Sequence, residues 1–389
     1  MYLNNLSNKK VGFIQRVLAS YNQVFFERLS DVDGVSLSFF TGQPMKNEQL
    51  KFAKKINGAS HWQAKNVYFF NQDNFIVWQK GVYAWLKSFD PDILIVDPSP
   101  RILSTQIAIN WMKYNNRPVL GWGSGELPRS GPMWIQNIRR KIAQLQCRRL
   151  SGVISYNSKA ANDYSNAGLS NDRIFIAYNS SDNKETEKYY KKYGNDLGWI
   201  NDWRKSLGFD PLIPIIIFVG QLIPSKKIDI LIRSFSILEE KAQLLIVGDG
   251  PIREELENIS SSFGRRIKFI GYQSGEYLSQ CYIGSDIFVL PGLGGLALHQ
   301  AMSYGKPVIV SFGDGTERDL VGDGINGLFF SGEIQELKNK IKFLLNNPNK
   351  IKTMGNESLS IVRKKYNMNS MLHVFEQAID AGISRFQNN

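Results

Sequence analysis

The residues best suited to chemistry in this sequence are two lysines at the start of a predicted helix. An apolar strand pattern ends at Gly220, a short turn containing Gln221 follows, and Lys226 and Lys227 open the next helical pattern. The amino end of a helix and an ammonium group together suit a phosphate. The pattern therefore predicts a phosphate site, although a solvent-facing loop would have the same composition.

Two glycine turns later in the chain also follow apolar strand patterns. The first contains Gly248, where the backbone can approach a ligand closely. The second contains Gly294 and Gly295, with Leu296 at the start of the next helix. Backbone amides gathered in this way cradle a diphosphate without a metal ion. We therefore predict a diphosphate site and no metal site.

Four side chains are candidates for acid–base chemistry. Glu126 follows a predicted strand and is the only acid within residues 101–150, with a salt bridge to a nearby arginine as the alternative. Glu317 follows the strand after the second glycine turn, and His299 lies on the helix that this turn opens, where a packed or exposed histidine is also common. Asp97 ends a strand and would serve equally as a helix cap. We expect Glu126, Glu317 and His299 to be catalytic.

Parallel strands that end at one edge of a sheet would position these motifs. Short β-branched or aromatic runs alternate with helical patterns up to residue 180, and the alternation restarts near residue 213. The polar stretch Ser180–Pro214 is interpreted as the linker and the start of the second domain. We predict an α/β protein with two doubly wound domains, 1–185 and 205–370, and a ligand in the cleft between them. Among the first-half elements, Val67–Phe70 is predicted as a parallel strand and Asn74–Lys87 as a helix.

Size and composition agree with two globular domains. The 389 residues exceed what one hydrophobic core usually serves. Apolar residues at 43% and charged residues at 21% exclude a disordered or collagen-like chain. No stretch approaches the about 18–20 apolar residues of a membrane span, and the amino terminus is too polar for a signal peptide. We expect a cytoplasmic protein whose two cysteines, Cys147 and Cys281, are buried thiols.

Positive charge is concentrated in the first half of the chain. Residues 1–200 carry 26 basic and 15 acidic side chains, whereas the remainder carries 21 and 20. The segment Trp134–Leu150 places apolar residues on one helical face with arginines and a lysine beside it. We predict that this helix lies on an anionic membrane surface and makes the protein peripheral. The alternative is an ordinary amphipathic helix with its apolar stripe in the core.

The three motifs of the second half, in this order and at these separations, resemble the C-terminal domain of GT-B glycosyltransferases, specifically glycosyltransferase family 4. The resemblance continues through Ser303–Ile309 and Asp323–Gly327 and covers residues 213–330. It is thinner in the first half. By similarity, a C-terminal helix over 371–389 crosses back onto the first domain.

The resemblance implies roles for individual residues. Lys226 would contact the donor diphosphate, and the stretch Gly271–Gln273 would lie against the nucleotide base. Arg16 and Tyr21, after the first strand, are candidates for the acceptor side, with ordinary packing as the alternative, and Ser124 is a third candidate there. The donor-binding residues predicted in this way are Gly220, Gln221, Lys226, Lys227, Gly248, Gly271, Tyr272, Gln273, Gly294, Gly295, Leu296 and Gln300.

Several positions depart from the family pattern. Gln221 replaces an arginine, Gly292 and Gln300 replace two glutamates eight positions apart, and Ser124 replaces a histidine. Each departure removes a charged group. Gln300 can still hydrogen-bond a ribose hydroxyl, but Gly292 has no side chain to touch the sugar. Departure of the diphosphate would then rely on Lys226, Lys227 and loop amides, with Glu317 as a candidate substitute for the missing glutamate.

The sequence thus predicts a glycosyltransferase that moves a hexose-type sugar from a UDP- or GDP-sugar to a saccharide acceptor. The acceptor is expected to be lipid-linked, in bacterial surface polysaccharide or glycolipid assembly. By resemblance the reaction retains configuration, uses no metal and needs no cofactor beyond the donor. A nucleotide-sugar epimerase and a non-catalytic nucleotide-sugar binder remain alternatives. A nucleic-acid partner is disfavoured because no recognised binding signature is present.

Overall fold

The computed structural model describes residues 8–46, 48, 52–70, 75–125, 133–181, 183–239 and 241–387. The chain divides into two units. The first consists of Met1–Tyr178 with Asn369–Asn389, and the second of Asn179–Met368.

The first unit is built on a parallel sheet of seven strands. Within the described residues, the unit as a whole contains the strands β1 (Lys9–Val17), β2 (Val35–Gly42), β3 (Ser60–Gln63), β4 (Lys65–Phe69), β5 (Ile76–Lys80), β6 (Ile93–Val96), β7 (Val119–Gly123), β8 (Gly152–Ser155) and β9 (Ile174–Ile176). The order across the sheet is β3-β2-β1-β6-β7-β8-β9, and β4 and β5 form a separate antiparallel pair. Strand β6 is buried along its whole length, as expected for a parallel strand covered on both faces.

The second unit contains a parallel sheet of six strands. These are β10 (Ile215–Val219), β11 (Gln243–Val247), β12 (Ile267–Phe269), β13 (Ile287–Leu290), β14 (Val308–Ser311) and β15 (Gly327–Phe330). The order is β12-β11-β10-β13-β14-β15. Four of the strands, β10, β11, β13 and β14, are apolar and almost wholly buried, so they form the core on which the helices pack.

Helices connect the strands of both sheets. They are α1 (Gln23–Ser30), α2 (Val82–Phe89), α3 (Leu103–Tyr114), α4 (Met133–Cys147), α5 (Ser158–Asn166), α6 (Asn183–Tyr193), α7 (Leu197–Ser206), α8 (Ile228–Ser236), α9 (Arg253–Ser260), α10 (Gly275–Ile283), α11 (Leu296–Ser303), α12 (Thr316–Leu320), α13 (Ile334–Leu345), α14 (Pro348–Lys364) and α15 (Met368–Gln387).

The last helix, α15, packs on the first unit although its sequence follows the second. The Phe375 ring lies 4.6 Å from the Phe25 ring and 5.1 Å from the Trp122 ring, centroid to centroid. A Cβ added to Gly382 would come within 3.1 Å of Ile93. Aromatic packing and this close helix–strand contact fix α15 against the sheet.

The second unit begins earlier than the polar sequence indicated. The stretch interpreted as a linker contains α6 and α7, which belong to this unit. The Trp203 ring occupies the space beside Gly284, where a Cβ would lie 2.3 Å from the ring. The Arg204 guanidinium donates to both carboxylate oxygens of Asp286, at 3.0 and 2.9 Å. The polar composition did not indicate these helices, because most of their surface is solvated and few of their residues contact the rest of the unit.

Two local predictions in the first half are wrong. The run Val67–Phe70 is not a parallel strand, because β4 pairs antiparallel with β5 in the register Phe69 to Ile76. The helix predicted over Asn74–Lys87 is interrupted, since Ile76–Lys80 is a strand and the helix begins only at Val82. Gly81, with φ of 97°, makes the break. Apolar spacing did not distinguish a short strand followed by a helix from one longer helix.

Candidate functional site

The candidate site lies where the strand order of the second sheet reverses. Strand β10 has β11 on one side and β13 on the other, and all three are parallel. In open α/β sheets ligands bind beyond the carboxyl ends of the strands at this reversal. Lys226 follows β10, and Pro291–Gly295, here called the glycine loop, follows β13. The two motifs singled out in the sequence therefore meet at one edge of the sheet.

Lys226 contacts the glycine loop directly. Its Nζ donates to the carbonyl oxygens of Leu293 and Gly294, each at 2.6 Å. Burial lowers the pKa of this ammonium group, while the nearby Asp314 carboxylate acts in the opposite direction. The charge is thus partly desolvated, which strengthens its attraction for an anion.

Close backbone packing gives the glycine loop its shape. A Cβ added to Gly292 would lie 2.3 Å from the Ser225 carbonyl oxygen. The Leu293 amide donates to the same oxygen at 3.0 Å. Gly295, with φ of 137°, immediately precedes α11, whose first turn has no side-chain cap. The loop thus leads its backbone into the amino end of α11 beside Lys226, as diphosphate recognition by amides requires.

The glycines at 220 and 248 allow neighbouring loops to approach one another. A Cβ on Gly248 would lie 1.8 Å from the Gly220 carbonyl oxygen. The Gly248 amide donates to the Gly271 carbonyl at 2.8 Å. The loops after β10, β11 and β12 are therefore joined through backbone. The atom nearest to a Cβ on Gly248 is thus the Gly220 carbonyl oxygen. Contact between Gly248 and a donor remains a prediction.

The other predicted donor residues surround this edge with varying exposure. Tyr272 is 53% exposed after β12, which suits a stacking surface for a base. The Gln273 amide is engaged, since Nε2 donates to the Ile270 carbonyl at 2.7 Å. Gln221 and Lys227 are exposed on the loop after β10, whereas Leu296 and Gln300 are half-buried on α11.

His299 is enclosed in the second unit. Its side chain is fully buried. The Ser181 amide donates to Nδ1 at 3.2 Å, and Nε2 contacts the Tyr366 carbonyl oxygen. Because a carbonyl only accepts and an amide N–H only donates, Nε2 carries the proton, Nδ1 does not, and the ring is neutral. Burial lowers its pKa to about 4. These contacts favour a structural role, and catalysis by His299 remains a prediction that this geometry disfavours.

Glu317 is also engaged within the protein. Its carboxylate is buried and accepts hydrogen bonds from the Gly313 amide at 2.9 Å and the Gly315 amide at 3.0 Å. It therefore shapes the loop after β14. Asp314 in that loop, which the sequence did not single out, lies beside Gly294: a Cβ there would be 3.4 Å from either carboxylate oxygen. The sequence signal that could have identified Asp314 is its place after β14, the strand next to the one that the glycine loop follows.

On the first unit, two of the predicted acceptor residues differ in their surroundings. The Arg16 guanidinium donates to both oxygens of Glu48, at 2.7 and 2.5 Å, and to the Tyr68 hydroxyl at 3.1 Å. It thus links β1 to the β4–β5 hairpin. Tyr21 is exposed. Ser124 is exposed after β7, and Glu126 lies outside the described residues.

Asp97 lies at the strand-order reversal of the first sheet, after β6 and beside β1. Burial raises the pKa of its carboxyl, and the Ser99 amide donates to it at 3.0 Å. The Asp97 carboxyl is electrostatically coupled to the hydroxyl of Tyr156, which follows β8. This edge is therefore lined by ionisable side chains.

Helix α4 exposes the apolar stripe identified from the sequence. Trp134, Ile138, Ile142 and Leu145 are 63%, 50%, 47% and 62% exposed. The buried face carries the smaller Ala143 and Cys147 with Gln146 instead. Arg140 and Lys141 on α4, and Arg148 and Arg149 directly after it, are exposed. The alternative in which this stripe packs in the core is wrong for these four apolar side chains.

Two features of the described residues bear on membranes and metals. None of their helices is long and apolar enough to cross a membrane. The same part of the chain has no group of three or more His, Cys, Asp or Glu residues placed to hold a metal ion. The prediction of metal-independent chemistry remains a prediction.

The region that contains this candidate site is similar to known glycosyltransferases. Residues 200–359 match the family model of glycosyl transferases group 1. The chain is 32% identical over 143 residues to sulfoquinovosyl transferase SQD2 of Arabidopsis thaliana, covering 35% of this chain and 27% of that protein. It is 29% identical over 167 residues to a GDP-mannose-dependent monoacylated alpha-(1-6)-phosphatidylinositol monomannoside mannosyltransferase of Corynebacterium glutamicum, covering 39% and 43%. The matches span less than half the length of these relatives.

Solved structures extend the likeness to nearly the whole chain. HepE from Anabaena, crystallised with UDP, superposes with a TM-score of 0.73 at 17% identity, covering 96% of this chain and 100% of HepE. At that identity the likeness shows the fold. The predicted GT-B fold, with two doubly wound Rossmann-like domains, is confirmed.

Proposed function

We propose that this protein is a glycosyltransferase that transfers a sugar from a nucleotide-diphosphate sugar to a saccharide acceptor. The observation that carries the proposal is the contact of Lys226 with the glycine loop at the strand-order reversal of the second sheet. The family match over residues 200–359 covers this same region. The donor would therefore bind to the second unit.

In this proposal the diphosphate is both the anchor of the donor and the leaving group. An incoming diphosphate would replace the Leu293 and Gly294 carbonyls as the partner of the Lys226 ammonium group. Loop and helix amides would add fixed donors, each worth about 2–4 kcal/mol of barrier when aimed at developing charge. The reaction would proceed without metal, and by resemblance with retention of configuration.

The proposed donor is a UDP- or GDP-sugar. HepE was solved with UDP, and the Corynebacterium relative is named for GDP-mannose. A panel of UDP-, GDP-, ADP- and dTDP-sugars in a thermal-shift assay tests this. We expect sugar nucleotides with one particular base to raise the Tm of the protein. The corresponding nucleoside diphosphate should be released when an acceptor is added. Absence of stabilisation by every donor would contradict the proposal.

The proposed acceptor is a lipid-linked saccharide, reached from the cytoplasmic face of a membrane in surface polysaccharide or glycolipid assembly. Support comes from the exposed apolar stripe of α4 and the basic residues round it. Anionic lipid attracts each nearby basic residue by about 1 kcal/mol, and an exposed Trp adds apolar burial. The Corynebacterium relative is named for a phosphatidylinositol mannoside substrate.

Sedimentation with vesicles tests the membrane component separately. We expect the protein to sediment with phosphatidylglycerol vesicles at low salt. With phosphatidylcholine vesicles it should remain in the supernatant. Trp134→Ala with Ile138→Ser should weaken binding, because both side chains are exposed and their loss spares the core. Tyr114→Ala is the matched control, since Tyr114 is 90% exposed on α3. Equal binding of wild type and the double variant would contradict a role for α4.

A non-catalytic nucleotide-sugar binder is the second candidate. It is favoured by the glycine loop, where Gly292 leaves no room for the glutamate side chain of the family pattern. Such a protein would be stabilised by the donor and yet release no nucleoside diphosphate with any acceptor. Measured turnover therefore separates the two candidates.

A further inference from the structure

The loop after β14 brings one carboxylate to the glycine loop. Both oxygens of Asp314 lie 3.4 Å from the position that a Cβ on Gly294 would occupy. A Cβ on Gly313 would lie 3.3 Å from the Gly292 carbonyl oxygen, so the two loops are in contact along their backbones. Asp314 also acts electrostatically on Lys226. It is therefore part of the same local structure as the proposed phosphate ligand.

No side chain at Gly292 could supply a carboxylate in this loop. A Cβ there would meet the Ser225 carbonyl oxygen at 2.3 Å and the Lys226 carbonyl carbon at 2.6 Å. These neighbours are backbone atoms, so they cannot turn aside as a flexible side chain would. The carboxylate that does lie beside the glycine loop is that of Asp314, which belongs to the loop after β14.

The other acid of that loop is committed to backbone. Glu317 is 2% exposed and accepts from the Gly313 and Gly315 amides. Asp314 is half-buried, and its Oδ1 accepts from the Thr316 amide at 2.9 Å. Glu317 thus holds the loop that carries Asp314, and Asp314 is the more accessible of the two.

We propose that Asp314 accepts hydrogen bonds from hydroxyl groups of the donor sugar and so determines which sugar is transferred. This rests on the proposed glycosyltransferase function. A carboxylate beside a diphosphate repels it, so its favourable partner is a neutral hydroxyl donor, and the Lys226 ammonium group compensates the repulsion. Asp314 would thereby select the sugar, whereas Lys226 binds the diphosphate that all such donors share.

Calorimetric titration of Asp314→Asn separates sugar recognition from diphosphate binding. Asparagine keeps an acceptor oxygen for the Thr316 amide, so the local fold is retained. With UDP-glucose, UDP-galactose and GDP-mannose as probes, we expect the sugar nucleotide that binds wild type best to lose about ten- to a hundredfold in affinity. The matching free UDP or GDP should bind as well as before or more tightly, because a nearby negative charge has been removed.

Two further measurements complete the test. Asp323→Asn is the matched control, because Asp323 also accepts a backbone amide, that of Phe329, at the turn preceding β15. It should bind as wild type does. Deoxy-sugar analogues of the preferred donor should lose affinity for wild type, and at least one should show no further loss with Asp314→Asn.

The outcomes distinguish this inference from the proposed function. If the variant binds sugar nucleotide and free nucleotide with the same loss, Asp314 is structural and the inference is overturned. An unchanged affinity for both also overturns it. If wild type binds none of the nucleotides, the proposed function fails and the inference fails with it.

Discussion

The carboxyl edges of the two sheets share a topology and differ in what they are made of. In the second unit, backbone carbonyls, glycines and the Lys226 ammonium group meet at the reversal between β10 and β13. In the first unit, the reversal between β1 and β6 carries side chains, with Asp97 at its end and Arg16 paired with Glu48. A common fold thus carries an edge built mainly from backbone in one unit, where the anion site is proposed, and an edge built from side chains in the other.

This difference explains why the edge of the second sheet was easier to predict from the sequence than the edge of the first. Backbone sites need glycine at fixed places, and glycines leave a pattern in a sequence. Side-chain sites can be assembled from many residue types, whose partners are distant in sequence, as Arg16 is from Glu48 and Tyr68. The comparison leads to four predictions, ordered by expected effect.

The largest effect is expected for Glu126→Gln, the change to the acid that the sequence predicts to be catalytic. If Glu126 is the general acid or base, transfer should fall by about 10²–10⁴-fold. Donor-dependent stabilisation should persist, because the donor is proposed to bind the second unit. Asp33→Asn, an exposed acid of the same unit, is the control for loss of negative charge. Retention of more than a tenth of the activity by Glu126→Gln would remove Glu126 from the chemistry.

Lys226→Ala should damage the edge of the second unit instead. Loss of the ammonium group should abolish most of the donor-dependent Tm shift and slow transfer by about 10²–10³-fold. The shift of Tm with UDP- and GDP-sugars measures this against Lys352→Ala, an exposed lysine on α14. The lowered pKa of Lys226 adds a pH dependence. As the pH rises, the ammonium group should lose its proton, and the donor its affinity, at a lower pH than for a solvated lysine. A full shift in Lys226→Ala would contradict the anion site.

Gly292→Glu introduces the residue type that the family resemblance implies at this position, and we expect it to weaken function rather than improve it. The new side chain would meet the Ser225 carbonyl, so the loop must move, at a cost of about 1–3 kcal/mol. We expect a lower Tm and weaker donor binding in thermal-shift titrations. Increased transfer by this variant would show that the edge admits side chains and would weaken the contrast between the two units.

The smallest effects concern stability in acid, where the two units should respond with opposite sign. His299 has a pKa of about 4, so between pH 6.5 and 4 the unfolded chain binds a proton that the folded one does not. Its contribution falls as the pH falls, by at most about 3 kcal/mol. Asp97 has a raised pKa, so above pH 3.8 its contribution falls as the pH rises.

Hydrogen exchange resolved by segment can measure this contrast. Protection in the second unit should decline on acidification through that range, and His299→Gln should remove most of the decline. Glutamine can donate to the Tyr366 carbonyl and accept from Ser181 without titrating. An unchanged pH profile in His299→Gln would show that another group controls acid stability there.

Particular elements show how far sequence reasoning reached. The alternation of strands and helices was sufficient for both Rossmann-like domains, because buried parallel strands are apolar along their length. It failed at Val67–Phe70, since a run of β-branched and aromatic residues does not state which strand it pairs with. It failed again over α6 and α7, where a few residues among many polar ones make the attachment, such as Tyr193 of α6 to Glu276 and Trp203 of α7 beside Gly284.

The candidate site divides in the same way. Local order along the chain placed Lys226 and the glycine loop after their strands, and the parallel topology made them neighbours. Only the folded chain decided that His299 and Glu317 are occupied by internal partners and that Asp314 lies beside Gly294. Spacing along a strand–turn–helix unit is fixed by short-range geometry. Which carboxylate lies beside the glycine loop depends on the contact between loops from separate strands, and that contact exists only in the tertiary structure.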